Sequence, residues 1–106
     1  MFLILIIKFL MTFMNEEQLE TIEEMAYRLF SPTEIALALE ISDIDAFVDD
    51  LKCNSTEIHK AFYKGYFSQL GELRNDTIKA ARNGSNPAQL ELIKCLNNIQ
   101  RELNHG

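Results

Sequence analysis

The residues able to do chemistry are few and scattered. Asp49-Asp50 is a carboxylate pair that would hold Mg²⁺ if both acids faced one point, but adjacent residues on a helix point apart. Cys53 and Cys95 are two thiols without CxxC spacing, which reads as free cysteines in a reducing compartment. His59 and His105 stand apart, with no HxxxH or HExxH arrangement to build a zinc site. There is no nucleophile–base arrangement and no phosphate-cradling glycine loop. The expectation is a non-enzyme, without catalytic residues, metal or cofactor, whose work is recognition.

Charge is the next signal. From Asn15 to Leu51 there are eleven acidic residues against Arg28 alone, and from Lys52 onward eight basic residues against five acidic ones. The net charge of −6 therefore hides an acidic first half and a mildly basic second half. The exposed cations that would contact phosphates are Lys52, Lys60, Lys64, Arg74, Lys79 and Arg82.

The elements that must position these residues are helical. With 47% apolar residues, four glycines and two prolines in 106 residues, the chain reads as one globular all-α domain. Leu19, Ile22, Met25, Ala26, Leu29 and Phe30 recur at helical spacing and predict a helix over 16–30. Ser31-Pro32 with Glu34 is a capping box opening a second helix over 32–39. Ser42 or Asp43 then caps a third helix that runs to Leu51. The expected tri-helical core includes Ile35, Ala36, Leu39, Ile41, Phe47 and Val48. This is the layout of a helix-turn-helix head over 15–53, whose third helix would normally enter a DNA groove. That helix carries Asp43, Asp45, Asp49 and Asp50, and each aspartate near a phosphate is repelled by about 1 kcal/mol even in water.

Beyond it, a long fourth helix is predicted over 56–82, with Gly65 left small for close packing. Asn83-Gly84-Ser85 is a turn, and a fifth helix follows over 87–103. The two read as a long antiparallel helical hairpin within 54–106. Tyr63 and Phe67 on one arm, and Leu92, Leu96, Ile99 and Leu103 on the other, are the candidate oligomer interface.

Residues 1–14 form an apolar extension, too short for the roughly 20 residues that span a bilayer and lacking a basic lead and cleavage site. Met14-Asn15-Glu16 reads as a start of its own. The expectation is that residues 1–13 come from an upstream start codon, with an interfacial anchor as the alternative.

The ordered set Glu34-Ile35-Ala36, Phe62-Tyr63-Lys64-Gly65-Tyr66, Leu73-Arg74, Ile78, Ala80-Ala81, Asn83-Gly84-Ser85 and Leu92 resembles the small subunit of bacteriophage terminases. The layout covers about residues 20–96. Glu40 stands where that family's turn commonly has glycine. The resemblance implies a DNA-binding head, a helical hairpin that assembles subunits into a ring, and a role in DNA packaging. Its implied partners are double-stranded viral DNA, the terminase large subunit and further copies of itself, in the host-cell cytoplasm and away from membranes. Two other classes fit the same residues: a small helix-turn-helix transcriptional regulator, and an acidic interaction adaptor that never touches DNA.

Overall fold

The computed structural model describes residues 14–105, so the expectation about residues 1–13 lies outside the described residues. Five helices account for most of the chain, and no strand occurs among the described residues. They are α1 (Glu16–Tyr27), α2 (Pro32–Ala38), α3 (Ile44–Lys52), α4 (Glu57–Arg82) and α5 (Asn86–His105). The chain divides into two compact units, one running through Gln69 and one from Leu70.

Local chemistry sets the helix starts. Asn15 and Gln18 close a capping box on α1, the Asn15 carboxamide oxygen accepting from Gln18 N at 2.8 Å. On α2 the Ser31 amide donates to Glu34 at 2.9 Å and Glu34 N donates to the Ser31 hydroxyl at 3.2 Å. Asp43 caps α3 by accepting from Ala46 N at 3.1 Å. Each cap satisfies backbone amides that have no partner inside their own helix.

Three helix ends share one closure. A residue in the left-handed region lets two amides fold back on the last turn. After α1 it is Leu29, at φ 69°, with Leu29 N donating to Ala26 O and Phe30 N to Met25 O. After α2 it is Glu40, at φ 58°, with Glu40 N donating to Leu37 O and Ile41 N to Ala36 O. After α4 it is Gly84, at φ 97°, the only one of the three free of a Cβ penalty. These closures explain why α1 stops at Tyr27 rather than Phe30, and α2 at Ala38 rather than Leu39. The fifth helix opens one residue before Pro87, where the Ser85 hydroxyl accepts from Ala88 N at 3.4 Å.

The core lies entirely in the first unit. Ile22 and Ala26 of α1, Ile35 and Ala36 of α2, Phe47 and Leu51 of α3, and Ile58 and Phe62 of α4 are buried together. Leu39, Ile41 and Val48 pack half-buried around them. The first unit therefore does not stop at residue 53, where the charge and turn pattern divides the chain. It extends through Gln69, because the opening turns of α4 supply two of the core side chains. Helix α4 crosses α1 at Gly65. A Cβ there would overlap the Glu23 carbonyl oxygen and stand 2.9 Å from its carbon and 3.0 Å from Tyr27 N. Beside this crossing Lys64 Nζ reaches Glu23 at 3.6 Å, and the Gln69 carboxamide donates to Tyr27 O at 2.9 Å.

Gly65→Ala is expected to destabilise the protein by about 1–3 kcal/mol, since backbone overlap outweighs the gain in helix propensity. Gly71→Ala, with open space around its Cβ position, should stabilise by about 0.5–1 kcal/mol. Urea titration of both variants checks the pair; equal effects would contradict the crossing. Glu40→Gly should raise stability by about 0.5–1 kcal/mol by relieving the left-handed turn, read as a higher melting temperature.

Candidate functional site

The surface of α3 is acidic where a groove-reading helix would be basic. Asp45 and Asp49 are exposed, Asp43 is committed to its cap, and Asp50 is half-buried. Burial pushes the Asp50 carboxyl above the usual aspartate range, and the charge of Asp49 pushes it further the same way. Glu34 is shifted oppositely: the Ser31 amide, then the Ser31 hydroxyl, hold it below the usual range.

The loop after α3 is braced by side chains. The Thr56 hydroxyl donates within reach of both Asp50 O at 2.7 Å and Cys53 O at 3.0 Å, and accepts from His59 N at 3.1 Å. The His59 ring donates from Nδ1 to Leu51 O at 2.9 Å, taking up a carbonyl at the end of α3. Its ring centroid lies 4.5 Å from that of Tyr63, the two rings tilted by 44°. Nothing in the sequence around His59 signals that role, because its acceptor is a backbone atom eight residues away. The exposed Cys53 thiol lies 3.2 Å from the Ser55 hydroxyl, whose hydrogen bonding lowers its pKa.

The six candidate phosphate contacts do not form one stripe. Lys60 and Lys64 flank a hollow with Glu16, Glu20, Glu23 and Glu57, and they reach Glu57 at 3.5 Å and Glu23 at 3.6 Å. These two lysines offset acidic charge of the first unit. Lys52 is exposed at the end of α3, and Lys79 is exposed on α4. Arg74 and Arg82 are brought to a different place: with Ile78 they line an apolar groove completed by Leu92, Leu96 and Ile99 of α5.

The candidate interface residues also divide. Tyr63 is half-buried at the edge of the core, in ring contact with Phe62 and Phe67, while Phe67 is 58% exposed. On α5, Leu96 is 60% exposed, Ile99 49% and Leu103 70%, while Leu92 is half-buried. Among the described residues, none in the second unit is buried. The groove that its two helices share has a volume of about 510 Å³.

The Asp50 environment gives a pH test. A raised folded-state pKa means a contribution to stability that is present below the unfolded pKa and lost as pH rises through the folded one. Asp50→Asn should therefore raise stability at neutral pH, with the gain fading as pH falls below the ordinary aspartate range. Denaturation midpoints of both proteins across pH 3–7 check this, and a gain that persists at low pH would contradict it. No protein-family model matches the chain, and comparison with curated proteins and with solved structures finds no match.

Proposed function

We propose that this chain is a non-catalytic DNA-recognition and assembly subunit of the terminase small-subunit type, acting in packaging of double-stranded viral DNA. The first unit is the helix-turn-helix head, and α4 with α5 is the hairpin through which copies associate. Its partners in this reading are DNA, the terminase large subunit and other copies of the chain, in the host-cell cytoplasm. No helix among the described residues is long and apolar enough to cross a membrane. The carrying observation is the second unit, which displays Leu96, Ile99 and Leu103 and has no buried residue among those described. A helix gains most of its stability from burying an apolar face, and this face is uncovered in the single chain.

Contact with DNA in this reading comes from Lys52 and Lys79 and from summation over assembled copies, since linked weak sites act at high effective concentration. The acidic face of α3 does not read bases. That same face, together with the pairing of Lys60 and Lys64 to glutamates, favours a second reading: an acidic adaptor docking onto a basic protein.

Light scattering on the eluting protein and a filter-binding salt titration separate the two. The assembled form should bind duplex DNA with affinity that falls as salt rises, and Lys52→Ala or Lys79→Ala should each flatten the log–log slope by about 0.9 for every copy in contact with the duplex. Lys60→Ala and Lys64→Ala should change it less, because those charges already face Glu57 and Glu23. An assembled form without DNA affinity at low salt would establish the adaptor instead.

A further inference from the structure

The exposed seam of α5 repeats itself about the middle of the helix. The midpoint lies between Cys95 and Leu96. Equidistant from it stand Leu92 and Ile99, and beyond them Ala88 and Leu103. At 100° per residue all six fall on one side of the helix, whereas Glu91, Lys94, Arg101 and Glu102 fall within a sector of about 100° elsewhere. A seam with this symmetry is complementary to an antiparallel copy of itself, in the way an isologous interface requires. Ala88 of one copy then meets Leu103 of the other, Leu92 meets Ile99, and Cys95 and Leu96 lie at the twofold axis. The matched stretch is about 22 Å long at 1.5 Å per residue.

Charge agrees with this register. The Gln89 carboxamide donates to Ala81 O at 3.0 Å, which sets Arg82 beside the opening turn of α5. Glu91 borders the α4 side of α5, in a hollow with Leu73, Arg74 and Leu92, and Glu102 shares that edge eleven residues on. In an antiparallel pair like edges meet, so the second copy presents its Glu102 edge toward α4. With Leu103 of that copy against Ala88, its Glu102 arrives beside Arg82. Among the described residues Arg82 makes no ion pair within its own chain. The cations Lys94 and Arg101 of the arriving helix point away from the arginine-rimmed groove.

We propose that the α4–α5 groove is closed by α5 of a second copy, antiparallel and twofold-related about Cys95–Leu96, with Arg82 of each copy paired to Glu102 of the other. This rests on the assembly part of the function proposed above and specifies its partner and register. It makes the pair of chains the building block, and any larger ring requires a second, different contact.

The test uses the full chain carrying Cys53→Ser, so that Cys95 is the one thiol. A short bis-maleimide should join two copies through Cys95, and Leu96→Asp should abolish the cross-link. In sedimentation, Arg82→Glu should weaken dimerisation at least tenfold, Glu102→Arg likewise, and the double charge swap should restore it to within a few-fold of the parent. Circular dichroism confirms that each variant keeps its helices. If the chain assembles but Cys95 does not cross-link, or the swap is no better than the single changes, the register is wrong while assembly stands. If the chain is monomeric at all concentrations, both the register and the assembly reading fall. If only an added acidic helical peptide protects Cys95 from alkylation, the occupant is another protein and the proposal is overturned.

Discussion

The close approach of α4 to α1 at Gly65 is the constraint on which the first unit depends. Backbone meets backbone there, with the Glu23 carbonyl occupying the place of a side chain. Because Ile58 and Phe62 precede Gly65 on α4, the same crossing sets both of them into the core built by α1, α2 and α3. A larger residue would move α4 outward and thin that core from one side. Lys64 and Gln69 act beside the crossing, one on the Glu23 carboxylate and one on a terminal carbonyl of α1. Packing supplies the stability, and these polar contacts fix where along α1 it is delivered. An exposed ion pair such as Lys64–Glu23 adds only a few tenths of a kcal/mol.

The unit built this way is acidic outside; turns of one kind close α1 and α2, whereas α3 ends on Cys53 in extended backbone. Two of its three inner helix ends place leucine and glutamate in the left-handed region, where glycine would be unstrained. The hydrogen bonds that terminate α1 and α2 hold those residues in place. Short α2 and its turn lead into α3, on which Asp45 and Asp49 are exposed and Asp50 is half-buried. A helix bearing Asp45 and Asp49 on its surface repels a phosphate backbone whatever its geometry.

The second unit has the opposite character. Its helical segments are long and regular, yet no described side chain in it is buried. Mean composition hides this, since the apolar residues are ample; what is absent is a surface to cover them. The imbalance is between a first unit that holds every buried residue among those described and a second unit whose apolar seam is exposed.

Residue pattern alone determined the all-α class, the order of the five helices, the Ser31–Glu34 box, the smallness required at Gly65 and the α5 seam. These are local or periodic properties, written within a few residues of where they act. Tertiary structure alone decided that α4 belongs to the first unit as far as Gln69, because core membership depends on which distant helix a side chain meets. It also decided that Lys60 and Lys64 face glutamates whereas Arg74 and Arg82 rim an apolar groove. All four looked alike as exposed cations at helical spacing. His59 could not be assigned from its neighbours, its partner being a carbonyl brought near by the loop between α3 and α4. Spacing fixes which residues share a face, and only the folded chain fixes what that face meets.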